Sequence, residues 1–162
     1  MAESRRDRPP PIDERWAELA DHILVIAREI QFRDYQDEQA VPLTQSEGMV
    51  MRYLNQNNDA SPSRIAAATG LQRTNLSTVL RGLAQKGLIE RQARPADGRG
   101  VTVVTTARGR DNYHLVRQEW AQLLEQDGTK ASRLNTALEL LRSIEAGLVS
   151  TRPGTPASRP GV

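Results

Sequence analysis

Between residues 73 and 86 the polar side chains are arginine, asparagine, serine, threonine, glutamine and lysine, and none is acidic. At 100° per residue, the leucines and the valine between positions 76 and 83 fall within about 100° of arc, which predicts a helix with one apolar side. Arginine can read guanine, asparagine can read adenine, and serine or threonine can contact bases or phosphates. The polar side therefore predicts contact with duplex DNA by Thr74, Asn75, Ser77, Thr78 and Arg81, with Arg73 directed at a phosphate at the helix start.

A basic hairpin is predicted directly after this helix. Residues 88–104 contain two runs rich in β-forming residues, joined by proline, aspartate and glycine, which is typical of a turn. A helix can enter the major groove of DNA while a hairpin reaches along the backbone. We therefore expect Arg94, Asp97 and Arg99 to lie at the DNA surface.

A shorter helix is predicted just before residue 73. Ser61 is its expected N-cap, proline follows at the first helical position, and Gly70 ends it. Ala66 lies four residues before Gly70, a spacing that suits two helices crossing at a tight turn. The pair is typical of a helix-turn-helix, and Ser61 and Ser63 at its start are predicted to contact DNA.

Charge is unevenly distributed along the chain, although the formal net charge is only +2. Residues 61–110 contain nine basic and two acidic side chains, a net +7, whereas residues 12–60 contain four basic and ten acidic side chains, a net −6. Such asymmetry indicates one basic surface directed at a polyanion. A solvated basic face without a partner is the alternative that charge alone leaves open.

The composition indicates a soluble globular protein of one domain. The chain has 162 residues, 38% of them hydrophobic and 26% charged. No apolar run approaches the roughly 20 residues that cross a bilayer, so no membrane contact is expected. The absence of cysteine excludes disulfides and thiolate metal sites and is typical of a cytoplasmic protein. His22 and His114 lack metal-ligand spacing and no nucleophile or phosphate-loop motif occurs, so we expect no enzyme, metal or cofactor.

Apolar residues recur at heptad-like spacing near both ends of the globular region, from Ile12 to Ile30 and from Leu134 to Leu148. A second copy of the chain would cover these stripes and place two DNA-reading helices about one DNA turn, roughly 34 Å, apart. A core role within one subunit is the alternative. The predicted fold is mainly α with a small β-hairpin (α+β). Its parts are tails in 1–11 and 151–162 that we expect to be disordered, dimerisation helices in 12–40 and 109–150, and a winged helix-turn-helix in 41–108.

A set of short motifs lies between residues 43 and 110, and their combination is more specific than any one of them. They are Leu43-Thr44 with Glu47, Ile65-Ala66, Gly70-Leu71, Arg73-Thr74 with Leu76-Ser77, Leu83, Lys86-Gly87-Leu88-Ile89 with Arg91, Pro95 with Asp97-Gly98-Arg99, and Thr106 with Gly109-Arg110. In this combination the chain resembles the MarR family (multiple antibiotic resistance regulators) of bacterial transcription factors, over about residues 12–149.

This resemblance implies a homodimer of winged helix-turn-helix subunits that binds a pseudo-palindromic DNA operator, and we expect a repressor. It places Arg73, Thr74 and Ser77 on the recognition helix. It also implies that Asp97 positions Arg99 for insertion into the minor groove, where a narrow groove concentrates negative potential. Many members release DNA when a small aromatic or anionic molecule binds between the dimer helices and the DNA-binding lobe.

Three departures from the family pattern bear on DNA contact. Thr78 and Gly82 stand where family members often carry arginine, which predicts weaker or differently directed base recognition. Gln72 stands where a capping serine is usual, so the recognition helix is expected to begin loosely. Thr105 replaces a common leucine beside the wing, which predicts a modest loss of packing there.

An effector pocket could be lined by Trp16, His22, Tyr53 and Trp120, although such residues more often belong to a core or an interface. Two other functions stay open at this point. One is a winged helix that binds an acidic protein partner, and the other is a regulator that binds DNA without any ligand. A steep salt dependence of DNA binding would exclude the first, because neutralised phosphates release counterions.

Overall fold

The computed structural model describes residues 13–57, 59–93, 100–125 and 131–153. Over these residues the chain is mainly helical with one two-stranded antiparallel sheet, which confirms the predicted fold class. None of the helices described here has the length and apolar content needed to cross a bilayer. The elements are α1 (Arg15–Phe32), α2 (Gln45–Gln56), α3 (Pro62–Thr69), α4 (Arg73–Gln85), β1 (Ile89–Ala93), β2 (Val101–Thr105), α5 (Ala107–Leu124), a 3-10 turn (Ala131–Arg133) and α6 (Leu134–Ser150).

The chain divides after Asp34 into two units. The first contains α1, in which no side chain is buried, and Trp16, Leu24 and Phe32 are each more than half exposed. The Arg28 guanidinium lies over the Phe32 ring, 5.2 Å from its centroid. The apolar stripe of α1 is therefore exposed in this unit. The second unit contains α2 to α6 and the sheet.

Side-chain caps explain where three helices of the second unit begin. Thr44 Oγ1 accepts a hydrogen bond from the Glu47 amide, and Glu47 Oε2 accepts one from the Thr44 amide, which together form a capping box at the start of α2. Ser61 accepts from the Arg64 amide at the start of α3. Thr106 accepts from the Gly109 amide at 2.9 Å and begins α5. The cap predicted at Ser61 is confirmed.

Two left-handed glycines set the connections on either side of α4. Gly70, at φ 72°, ends α3 and turns the chain towards α4. Gly87, at φ 69°, ends α4 in a Schellman motif, in which the Leu88 amide donates to Leu83 O at 3.0 Å. The helix-turn-helix and the strand that follows are thereby joined by short, fixed turns.

The core of the second unit lies beneath α2, α3, α4 and the sheet. The sheet pairs β1 with β2 from Ile89↔Thr105 to Ala93↔Val101, and a further bridge joins Val103 to Ala60. The fully buried side chains come from these elements, from α5 and from the connection between α4 and β1, and they fill one continuous cluster. They include Val50, Met51, Leu54, Ile65, Leu80, Leu83, Leu88, Val103 and Val116.

The segment before α2 is held against α5 by polar side chains. Glu119 accepts hydrogen bonds from the Gln36 and Asp37 amides, both at 2.9 Å. The buried amide of Asn112 accepts from the Val41 amide at 2.6 Å and donates to the Val41 carbonyl at 3.1 Å. These four hydrogen bonds satisfy backbone groups that no helix or strand would otherwise pair. Residues 36–41 are thus fixed to the helix that follows the wing.

Candidate nucleic-acid interface

The helix α4 separates an apolar side from a polar side as its sequence predicts. Leu76, Leu80 and Leu83 are at most 3% exposed, and Val79 packs beside them. The opposite side is open to solvent and contains no carboxylate. Its exposed polar residues are Arg73, Thr74, Asn75, Ser77, Thr78, Arg81 and Gln85.

The exposed side chains of α4 are largely free to bind a ligand. Within the described residues, neither Arg73 nor Arg81 forms an ion pair. The Thr78 hydroxyl donates to the Thr74 carbonyl at 3.4 Å, which leaves its lone pairs available as acceptors. Gln72 precedes the helix and provides no side-chain cap, as its sequence predicts. The polar side can therefore both donate and accept hydrogen bonds over more than two helical turns.

The two serines predicted to contact DNA lie together at the start of α3. Ser61 Oγ and Ser63 Oγ are 3.0 Å apart, and Ser61 also caps the helix. Ser63 is exposed, and Ser61 is partly exposed. Because Ser61 already accepts the Arg64 amide, the Ser63 hydroxyl is the freer of the two for an outside partner.

The hairpin is present, but its predicted DNA-contacting residues Arg94, Asp97 and Arg99 lie outside the described residues. The described stem exposes Glu90, Arg91 and Gln92 on β1. On β2 the side chains of Thr102, Val103 and Thr105 are buried. The hydroxyl of Thr105 is buried without a hydrogen-bond partner among the described residues, which is a desolvation cost that a leucine side chain would not have.

Lys86 does not belong to the basic surface that the charge distribution predicted. Its Nζ lies 2.6 Å from Oε2 of Glu47 and 2.8 Å from the Pro42 carbonyl, and the Glu47 side chain is only 7% exposed. The ammonium group thus compensates a buried carboxylate in the core-facing capping box of α2. The distribution of charge along the sequence does not reveal this ion pair, because Glu47 and Lys86 are 39 residues apart.

The same carboxylate explains why glycine occupies position 82. A Cβ added to Gly82 would lie 2.9 Å from Oε1 of Glu47, and real Cβ atoms essentially never approach other atoms so closely. A side chain at position 82 would therefore press on the carboxylate of the Glu47–Lys86 pair, which is a packing constraint on this position.

The four residues predicted to line an effector pocket lie in both units. Trp16 and His22 are exposed on α1, where His22 Nε2 lies 4.0 Å from Oε1 of Glu18. Tyr53 on α2 and Trp120 on α5 are partly buried and pack against the core of the second unit. Tyr53 and Trp120 therefore occupy positions beside the core, which is the alternative that the sequence left open for these residues.

Tyr53 also lines an open cleft that the sequence did not predict. The cleft lies between α2, the end of α3 and the end of α6, and its charged residues are Arg52, Glu145 and Arg152. The Arg152 guanidinium donates to the Ala68 carbonyl at 3.3 Å, although the sequence placed this residue in a C-terminal tail. Arg52 and Glu145 are 93 residues apart, so no spacing rule links Arg52 to the other two. Among the described residues, no three His, Asp or Glu side chains could hold a metal ion.

Comparison with known proteins matches this architecture to one family. Residues 43–101, from just before α2 to the first residue of β2, match the MarR family. An uncharacterized HTH-type transcriptional regulator of Mycobacterium leprae is 25% identical over 130 residues. The matched region covers 77% of this chain and 88% of that protein.

Two solved structures share the fold. A MarR mutant from E. coli, complexed with operator DNA, is 21% identical with a TM-score of 0.59, over 83% of this chain and 99% of that chain. BpsR of Bordetella bronchiseptica, whose structure addresses the regulation of its DNA binding by 6-hydroxynicotinic acid, is 20% identical with a TM-score of 0.58. That similarity covers 79% of this chain and 98% of BpsR.

Proposed function

We propose that this chain, whose residues 43–101 match the MarR family, is a transcriptional regulator of that family and a homodimer that binds a pseudo-palindromic operator in double-stranded DNA. It represses transcription from that operator, and a small molecule releases it. The observation that carries the proposal is the two-sided character of α4. Its leucines are buried, while its exposed side has arginine, threonine, asparagine and serine and no acidic group.

The chemistry of this exposed side supports DNA over an acidic protein as the partner. An arginine guanidinium matches the two acceptors of guanine in the major groove, and an asparagine amide matches adenine. Arg81 and Asn75 are both exposed on α4 and could make such contacts. Arg73, in the first turn, is proposed to contact a phosphate. The hairpin residues Arg94, Asp97 and Arg99 are proposed to act beside it, with Arg99 in the minor groove.

Substitutions on α4 test the proposal. Arg81→Ala is expected to weaken binding to specific DNA by about 1–3 kcal/mol per subunit, the range for a bidentate contact with guanine. Arg73→Ala is expected to weaken binding to all sequences alike and to reduce the slope of log K against log salt by about one per subunit. Fluorescence anisotropy with promoter fragments, between about 50 and 200 mM salt, measures both.

Arg117→Ala is the matched control, because it removes an exposed arginine from α5, outside α4 and the hairpin. Because Arg117 lies within the proposed dimerisation segment 109–150, light scattering first shows that the variant is still a dimer, and its DNA affinity is then expected to be unchanged. Thermal melting of all three variants shows whether they are folded. If folded Arg73→Ala and Arg81→Ala proteins bind as tightly as the unaltered chain, α4 does not contact DNA. If binding is insensitive to salt, the protein-binding alternative replaces the proposal.

The apolar stripe of α6 supports the homodimer. Leu134, Leu138 and Leu141 fall on one side of the helix, and they are 53%, 37% and 40% exposed. No residue of α6 is buried within the described chain. A two-fold partner would cover this stripe and the stripe of α1, and it would align two copies of α4 with operator half-sites. We retain residues 12–40 and 109–150 as the proposed dimerisation segments.

A pair of leucine substitutions tests the dimer. Leu138→Glu is expected to produce a subunit of 18.0 kDa in place of a dimer of twice that mass, because a carboxylate would be desolvated in the interface. Light scattering after size exclusion measures the mass.

Leu140→Glu is the control for Leu138→Glu. Leu140 is about as exposed (42% against 37%) but lies on nearly the opposite side of α6, since two residues turn a helix by about 200°. The Leu140→Glu protein should remain dimeric. Dissociation by both substitutions, or by neither, would contradict an interface on the Leu138 side.

The proposal that a small molecule releases the protein from DNA rests on relatives and on the chemistry of this chain. The DNA binding of BpsR is regulated by 6-hydroxynicotinic acid, a single-ring carboxylic acid. An aromatic or anionic effector is therefore proposed here as well. Of the residues predicted to line its pocket, Trp16, His22 and Trp120 lie outside the cleft described above, and only Tyr53 lines it.

A further inference from the structure

One arginine after the end of α6 reaches the turn of the helix-turn-helix. Nη1 of Arg152 donates to the Ala68 carbonyl at 3.3 Å, although 84 residues separate the two in the chain. Ala68 lies in the last turn of α3, and Gly70 begins the turn into α4. The regular helical donor to this carbonyl would be the Gln72 amide, but Gln72 lies beyond the end of α3. Arg152 therefore pairs a carbonyl that α3 leaves without a helical donor.

The same guanidinium occupies the space beside Gly70. A Cβ added to Gly70 would lie 2.5 Å from Nη1 of Arg152, 2.7 Å from Cζ and 2.9 Å from Nε. Gly70 is also in the left-handed region, at φ 72°, which residues with a side chain rarely adopt. Glycine at this position thus allows the chain to turn and leaves room for the guanidinium. Arg152 packs on the turn itself as well as on the end of α3.

The last turn of α6 fixes the point from which Arg152 extends. The amide and the hydroxyl of Thr151 both donate to the Gly147 carbonyl, at 3.2 Å and 3.0 Å. About two helical turns before Arg152, Oε2 of Glu145 lies 3.0 Å from Nη2 of Arg52 on α2. The C-terminal part of α6 and the residues after it are thereby joined to α2 and to the end of α3.

We propose that Arg152 is a positioning residue for DNA recognition, which holds the turn between α3 and α4 and so fixes the direction in which α4 leaves α3. It acts through the Ala68 carbonyl and Gly70 and does not itself contact DNA. Contacts with base edges need their donors and acceptors held to within about 0.5 Å, whereas general attraction to phosphates does not. Loss of Arg152 therefore reduces discrimination between DNA sequences. This role rests on the proposed DNA binding by α4, whereas restraint of the turn does not.

Hydrogen exchange tests the restraint of the turn in the absence of DNA. Arg152→Gln is expected to accelerate amide exchange in residues 66–72 by about fivefold, because the end of α3 opens more often without its charged partner. Arg152→Lys should restore most of the protection, since an ammonium group can still donate to the Ala68 carbonyl. Mass spectrometry of peptides that cover this range measures the exchange. Equal exchange in the unaltered chain and in Arg152→Gln would overturn the proposal.

Arg142→Gln is the matched control, because it removes the same charge from an exposed position on α6. Its exchange in residues 66–72 should equal that of the unaltered chain. Circular dichroism before exchange shows that each variant is folded. Acceleration by Arg142→Gln as large as that by Arg152→Gln would mean that loss of charge, and not loss of the contact with Ala68, loosens the turn.

A second measurement tests the consequence for DNA. Compared with Arg142→Gln, Arg152→Gln is expected to bind a promoter fragment about fivefold more weakly, with the slope of log K against log salt and the affinity for unrelated DNA unchanged. Arg152→Lys should recover most of the promoter affinity. A slope smaller by about one per subunit would show that Arg152 contacts a phosphate, which contradicts a positioning role. Faster exchange with unchanged promoter affinity would contradict it as well.

A double variant tests whether Arg152 acts through the turn. Gly70→Ala places a methyl group where the guanidinium lies, so it displaces Arg152. The losses of promoter affinity caused by Gly70→Ala and Arg152→Gln are therefore expected not to multiply when the two are combined. Losses that multiply would mean that Arg152 does not act through Gly70. If the unaltered chain binds no DNA, the proposed function fails, while hydrogen exchange still decides whether Arg152 restrains the turn.

Discussion

Gly109→Ala is expected to lower the free energy of unfolding by about 3 kcal/mol and the melting midpoint by about 10 °C. A Cβ at position 109 would overlap the Leu88 carbonyl oxygen and would lie 2.8 Å from Leu88 C and 2.9 Å from Thr105 Cγ2. These are backbone atoms and a buried methyl group, so no flexible side chain can move aside. Leu88 is also fully buried, and its carbonyl accepts the Thr106 amide at 3.1 Å. The first turn of α5 can pack on the start of β1 only with glycine there.

Gly147→Ala is the matched control for Gly109→Ala. Gly147 lies inside α6, and nothing among the described residues lies within 4 Å of where its Cβ would be. Alanine there is expected to stabilise the helix by up to about 1 kcal/mol, since glycine loses more backbone entropy. Denaturant melts of both variants measure the difference. Equal effects at the two positions would show that contact with Leu88 is not what requires glycine at 109.

The local elements of this fold could be predicted from the sequence because their signals lie within a few residues of each other. The capping box of Thr44 and Glu47 spans one helical turn, and so do the caps made by Ser61 and Thr106. The two sides of α4 follow from its 3.6-residue period, because the leucines that face the core also determine which residues face solvent.

The contacts between distant segments could not be predicted in this way. Glu119 and Asn112 fix the segment before α2 from positions more than 70 residues away. Arg152 reaches Ala68 across 84 residues, and no periodic pattern marks either one. Such pairs arise only once the helices have packed, since a polar side chain takes the nearest unpaired backbone group.

The buried ion pair of Glu47 and Lys86 leads to the second large prediction. Lys86→Met is expected to lower the free energy of unfolding by about 3 kcal/mol, because a carboxylate that is only 7% exposed would lose the ammonium group beside it. The Lys86 hydrogen bond to the Pro42 carbonyl would be lost as well. Chemical denaturation measures the change. Since Lys86 is engaged with Glu47, its removal should leave the salt slope of DNA binding unchanged, in contrast to Arg73→Ala.

The double variant Glu47→Gln, Lys86→Met separates the ion pair from simple loss of packing. Glutamine can still accept the hydrogen bond from the Thr44 amide, so the capping box survives without a buried charge. The double variant is therefore expected to be more stable than Lys86→Met alone, with a coupling energy of about 1–3 kcal/mol. Additive losses would mean that Glu47 is satisfied without Lys86. If folded Lys86→Met instead shows a slope of log K against log salt that is smaller by about one per subunit, then Lys86 contacts a DNA phosphate.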